Sequence, residues 1–171
     1  MVATLSSTSF DMITGILVFN IAGLEFCIDI KYVSSIITPQ DKNMLTSTNN
    51  LGNENIKVNE EMMPILNFHS MFGLKTPPED ENTRYVLLDF MKHKFVFMAD
   101  NIKEIISINN KTRDALKYVP IEDKPYLDGK IIYDGQIILY PDLEKIIRDQ
   151  KSYSIISDGS WIDSKNEEEQ S

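Results

Sequence analysis

The chain has 171 residues, 42% of them hydrophobic, and a formal net charge of −9. That is the length of one domain, or of two small lobes sharing a core, and the apolar content suffices for a buried interior. The acidic balance argues against nucleic-acid backbones and anionic membranes as main partners, and no apolar run approaches the ~18 residues of a membrane span, so direct membrane insertion is not expected.

Residues 1–12 are rich in Ser and Thr, show no periodicity and read as a mobile arm; residues 13–150 form the folded region. No Lys or Arg precedes the apolar stretch Met12–Ala22, so a secretory signal is not expected. Ile16–Ile21 and Leu24–Ile30 form a first hairpin. Cys27, the single cysteine, lies in its second strand as a small hydrophobe; one cysteine makes no internal disulfide, which fits a reducing compartment. Val33–Ile37 follows as a short helical turn or bent strand, ended by Thr38-Pro39. Gln40–Asn53 is a long polar loop. Asn55–Val58 and Met62–Asn67 make the next hairpin around Asn59-Glu60-Glu61. Phe68–Phe72 is a short helix stopped by Gly73. Lys75–Asn82, with Pro77-Pro78 followed by Glu79, Asp80 and Glu81, reads as a linker between lobes.

Tyr85–Ile108 carries an apolar strand, a tight polar turn at Lys92-His93-Lys94, and a second strand. In that strand Phe95, Phe97 and Ala99 point one way and Val96, Met98 and Asp100 the other. Asn109–Pro125 is charged and reads as irregular and exposed. Leu127–Tyr133 and Gln136–Tyr140 close on Asp134-Gly135, the strongest hairpin signal in the chain. Pro141 at the first helical position opens a helix, with Leu143, Ile146 and Ile147 as its buried face. Residues 151–171 form an acidic polar tail, partly disordered, in which Tyr153, Ile155, Ile156 and Trp161 can dock on the body.

The chain repeats itself. With Ile16 placed on Tyr85, Ile16–Ile37 runs without a gap along Tyr85–Ile106. Phe26 falls on Phe95, Val33 on Ile102, and Ala22-Gly23 on Met91-Lys92. Val33 and Ile102 are then expected to be equivalent and buried. Met62–Phe68 and Gln136–Leu143 form a second pair, each an apolar strand running into a helix. The reading is one unit in two copies, not a solenoid.

No catalytic constellation stands out. His69 and His93 lie apart from Cys27 and from each other, without metal-ligand spacing. Gly-rich phosphate loops and a Gly-x-Ser-x-Gly elbow are lacking. Phe19, Phe26, Phe90, Phe95 and Phe97 fall on strand positions that belong to a core and have no basic groove beside them, so a base-stacking platform is disfavoured. No enzyme activity and no cofactor are expected; an enzyme or small-molecule sensor is the disfavoured alternative.

Three segments carry a family resemblance. Ile16–Ile37, with its Gly turn, aromatic, Ile28-Asp29-Ile30 and Val33-x-x-Ile36, resembles the opening of the bacterial chemotaxis coupling family CheW. Asp100-Asn101-Ile102 resembles that family's Val-Asp-x-Val segment. Tyr126-Leu127-x-Gly129, the Asp134-Gly135 turn and Leu143–Ile147 resemble its close. The likeness spans about Ile16 to Ile147.

The resemblance implies a mainly β fold of two SH3-like five-stranded barrel lobes that exchange their terminal strands. The first lobe would combine the Ile16 hairpin with the Gln136 region, the second the Met62 and Tyr85 regions. It implies a non-catalytic cytoplasmic adaptor at membrane-associated receptor arrays. Its partners would be the histidine kinase CheA and the cytoplasmic tip of a chemoreceptor, a methyl-accepting protein. A related module acting on another chemosensory-type kinase is the alternative. The family's Asn-Leu-Arg-Gly segment after a Gly matches Gly52 and then Asn55-Ile56-Lys57-Val58, so Arg becomes Lys57 and Gly becomes Val58. Its acidic residue in Val-x-Glu becomes Ser35. Through this match Ser35, Gly52, Asn55, Lys57 and Val58 are the implied partner-binding positions, and an Arg-to-Lys exchange is not neutral where a planar fork is needed.

Overall fold

The computed structural model describes residues 10, 12–40, 45–48, 54–58 and 60–149; Gly52 and the tail 151–171 lie outside them. The chain runs β1 (Gly15–Ile21), β2 (Leu24–Asp29), a 3-10 turn (Ile30–Tyr32), β3 (Val33–Ile37), β4 (Leu45–Thr48), β5 (Glu54–Val58), β6 (Glu61–Leu66) and α1 (Phe68–Met71). It continues as β7 (Arg84–Phe90), β8 (His93–Ala99), β9 (Asn101–Ser107), α2 (Asn110–Ala115), β10 (Lys117–Pro120), β11 (Leu127–Tyr133), β12 (Gln136–Pro141) and α3 (143–149).

The repeat is visible strand by strand. β1 and β2 begin at Gly15 and Leu24, β7 and β8 at Arg84 and His93, so both strands keep the offset that places Ile16 on Tyr85. β6 and α1 begin at Glu61 and Phe68, β12 and α3 at Gln136 and Leu143, again with one offset common to strand and helix. The caps repeat as well: the Asn67 side chain accepts from the Ser70 amide at 3.0 Å, and its counterpart Asp142 accepts from the Lys145 amide at 3.1 Å.

The described residues form two six-stranded sheets, ordered β10-β11-β12-β2-β1-β9 and β3-β7-β8-β6-β5-β4. Replacing each strand of the first copy by its counterpart in the second turns one order into the other. Each sheet therefore takes its leading hairpin from one copy and its remaining four strands from the other. The first lobe joins the Ile16 hairpin to the Gln136 region and the second joins Met62 to Tyr85. The sixth strands, β4 and β10, are short edge strands in segments whose polar composition reads as loop.

Three apolar clusters follow from this. The largest lies between the sheets, where Leu17, Phe19, Ile21, Phe26 and Ile28 of the first meet Leu66, Val86, Leu88, Phe95, Phe97 and Ala99 of the second. Leu143, Ile146 and Ile147 of α3 close it, as their helical spacing requires. The outer faces of β1 and β8 carry Val18 and Val96 into two smaller clusters, one per lobe. This explains why β1 and β7 read as continuous apolar runs: they are covered on both faces. The five phenylalanines of the disfavoured stacking platform are all buried.

Several local expectations change. The turn in the second copy is Met91-Lys92, with φ of 51° and 67°, and His93 already begins β8. A two-residue turn with both φ positive matches the twist of the strands it joins, and Ala22-Gly23 has the same geometry. Val33–Ile37 is a strand, the helical turn lying just before it. Asn109–Pro125 contains α2, capped by the Asn109 side chain on the Thr112 amide, and β10. Pro141 ends β12, and Asp142, not Pro141, starts α3. Val33 and Ile102 are equivalent but only partly buried, packed against the rim of the central cluster. Phe10, within the expected arm, is buried against Tyr118 and Tyr140, and Arg113 donates to its carbonyl oxygen.

Two predictions follow from packing and backbone. Phe97 is fully buried, 4.8 Å from the ring of Phe19 and 4.5 Å from that of Phe68. Phe97→Ala is expected to destabilise by ~3–5 kcal/mol in chemical denaturation, through lost transfer energy and a cavity. Lys92 holds a left-handed backbone that costs a side-chain-bearing residue ~1–2 kcal/mol, against ~0.5–1 kcal/mol of extra entropy lost by glycine. Lys92→Gly is therefore expected to raise the melting temperature, and a lower one would contradict the turn geometry.

Candidate functional site

The implied partner-binding positions occupy the second lobe. β5 alternates: Ile56 and Val58 point into that lobe's cluster with Met63, Tyr85, Leu87 and Val96, while Asn55 and Lys57 lie half-buried on the outer side. Val58 is 5% exposed, so its side chain is core and not contact surface. Lys57 Nζ stands 3.5 Å from Glu60 Oε2 across the tight turn into β6. Ser35 is exposed on β3, opposite Leu87 of β7. Ser35 and Lys57 thus share one sheet, with β7, β8 and β6 between their strands.

Sequence reasoning missed a polar junction where the chain crosses between sheets. Asp100 sits between β8 of the second sheet and β9 of the first. Its amide donates to the Asn20 carbonyl at 2.9 Å, fixing the crossover to β1. Its Oδ2 accepts from the Ala22 amide at 2.6 Å, in the turn of the first lobe, and its Oδ1 lies 2.8 Å from Nε2 of His69 on α1. An ionised carboxylate only accepts, so His69 donates through Nε2. Beside it Asn20 Nδ2 donates to Asn101 Oδ1 at 2.5 Å. His69 is 2% exposed, and Asp100 is the partner that makes its burial tolerable. The available signal was the position of Asp100 on the outward side of a buried strand, where a short acid needs a donor.

The repeat also generates two equivalent hollows. One, of about 190 Å³, lies beside Asp29, Tyr140, Asp142 and Glu144. The other, of about 250 Å³, lies beside Met98, Ile65, Asn67 and His69, the counterparts of those four. The first is lined by Asp29, Asp128, Asp142 and Glu144, the second by Glu79 as its one carboxylate. Burial is the main cause that pushes the Tyr140 hydroxyl above its usual range and likewise the Cys27 thiol, so Cys27 is inert packing. Among the described residues no group of His, Cys, Asp or Glu is placed to hold a metal, and no helix is long and apolar enough to cross a membrane.

Removing the carboxylate at position 100 leaves both the buried His69 and the Ala22 amide without their acceptor. Asp100→Ala is expected to cost roughly 1–3 kcal/mol, the range for an orphaned buried donor. Amide exchange at Ala22 should accelerate with it; unchanged exchange there would refute the bridge.

The geometry agrees with what comparison shows. The family model for the CheW-like domain matches residues 15–151. Among solved structures, the scaffolding protein TtCheW from Thermoanaerobacter tengcongensis superposes with a TM-score of 0.62 at 18% identity, over 77% of this chain and 86% of that one. Comparison with curated protein sequences gives no significant match. On the family model, which spans most of its length, the chain belongs to the CheW-like domain family.

Proposed function

We propose that the chain is a non-catalytic adaptor that couples the cytoplasmic tip of chemoreceptors to the histidine kinase CheA. It would work in the cytoplasm at receptor arrays beneath the membrane. The observation that carries this reading is the family match over residues 15–151, joined to a fold in which both copies of the repeat build both lobes. An adaptor works by presenting two surfaces in a fixed relation, and two lobes sharing one apolar core supply that relation. Ser35, Asn55 and Lys57 are the proposed contacts. Val58 acts by holding β5, which carries Asn55 and Lys57, and Gly52 lies outside the described residues.

Lys57 tests the reading. It is half-buried and its ammonium is close to Glu60, which is 91% exposed. A surface pair of this kind is worth little to the fold, about 0–1 kcal/mol. Lys57→Glu should leave the melting temperature nearly unchanged. It should weaken capture by receptor cytoplasmic fragments or by CheA by roughly 1–3 kcal/mol, the size of a strong interface contact. The loss should shrink as salt rises, because an exposed charge is screened. Unchanged capture of both partners at low and high salt would remove Lys57 from the interface. A wild-type chain that captures neither would overturn the adaptor reading itself.

A further inference from the structure

The exchange of strands between copies means that neither half of the chain is a complete fold. Four seams join the sheets across the halves: β1 with β9, β3 with β7, β2 with β12, and β8 with β6. The central cluster likewise draws residues from both sides of the connector. Without residues 84–149, β1, β2, β3 and β6 would each present an unpaired edge, and Phe19, Phe26 and Leu66 would face water.

The covalent link between the halves is slight by comparison. Residues 74–83 carry no helix or strand, include Pro77-Pro78 and are largely exposed. Asp80 and Thr83 bond to each other, and Glu79 accepts from the hydroxyl of Tyr85 at the start of β7. No seam requires that the two halves belong to one molecule.

We propose that the partner fitted by this half-to-half surface is a second copy of the chain. Two molecules can exchange halves across residues 74–83 to form an intertwined dimer in which every strand seam and the central cluster are rebuilt. Only the path of the connector differs. Both lobes survive in each half of the dimer, so the proposed partner surfaces are doubled and not lost. Mass action decides between the forms. A short connector gives the halves an effective concentration of mM order, so the monomer wins at μM protein. The dimer gains when protein concentration approaches that value during folding, or when the connector becomes too short to turn back.

Asn20 and Asn101 supply the test, because they face each other across the seam from different halves. Full-length Asn20→Cys and Asn101→Cys chains are unfolded together, refolded at ~1 mM, above or near the effective concentration, and oxidised. Exchange brings the two introduced thiols together only between molecules, so a covalent dimer appears on a non-reducing gel. The buried Cys27 does not compete. The same chains folded separately and then mixed should give none. In a second arm residues 75–82 are deleted from the chain, and a dimer is expected at μM concentration by light scattering. Absence of covalent dimer after co-refolding overturns the proposal, whether or not the shortened chain folds. A shortened chain that is folded and monomeric overturns it as well. Neither arm involves receptor or kinase, so failure here is separate from failure of the adaptor reading.

Discussion

The structure depends on one constraint: the aromatic layer between the two sheets cannot be covered by either half alone. Phe19 comes from β1 of the first copy, Phe97 from β8 of the second, and Phe68 from α1 of the first. Their rings lie 4.5–6.3 Å apart. Rings at such separations add about 0.5–1.5 kcal/mol per pair beyond the area they bury. Because the layer is assembled from both copies, the lobes are fused and not merely tethered. A large apolar interface of this sort suppresses the relative motion that two small domains otherwise show.

The polar chemistry at the crossover follows from that layer. A chain passing from one sheet to the other must leave a strand ladder beside a dry core, and the backbone groups released there need partners. Asp100 serves this need by accepting from a backbone amide in one lobe and a buried imidazole in the other. The side chain is 20% exposed, so water covers one side of the carboxylate while its two oxygens are held. A fully enclosed charge would cost several kcal/mol more. The junction is thus a consequence of strand exchange, and it needs no catalytic reason for a histidine and an aspartate to stand together.

How much of this was legible depended on periodicity. The alternation of Phe95, Phe97 and Ala99 against Val96 and Met98 assigned both faces of β8, because a half-turn per residue leaves no freedom once one face is buried. The gapless match of Ile16–Ile37 to Tyr85–Ile106 placed the second turn on Met91-Lys92, while local polarity pointed one residue later. Geometry followed the repeat, since the tight turn sets the register of the hairpin. Short edge strands such as β10 escaped because one neighbouring strand, and not their own pattern, holds them. Asp142 escaped as a cap because Pro141 offered a competing helix start. At the proposed interface the match to the family segment placed Lys57 and Val58 together, and only the strand geometry of β5 separates them, with Lys57 out and Val58 in. Which strands separate Ser35 from Lys57 is a property of sheet order, and sheet order here crosses between copies.

The two copies also show which positions a duplicated fold leaves free to diverge. Asp29 in the first hollow corresponds to Met98 in the second. Lys31 stands at the first-copy counterpart of the crossover aspartate Asp100, and Glu144 at the second-copy counterpart of His69. Lys31 leans back 3.5 Å to Asp29, while Asp100 reaches across to the other lobe. The apolar positions have no such latitude. Phe26 and Phe95, Leu66 and Pro141, Phe68 and Leu143 remain apolar and buried in both copies, and all but Pro141 belong to the central cluster built from both halves. A change at one of those cluster positions would damage the core that both lobes share. The edges face solvent, and there an exposed pair such as Lys57 and Glu60 can be lost at a cost of about 1 kcal/mol or less. A chain built this way can alter the chemistry of one lobe's surface while the shared interior continues to specify the same architecture.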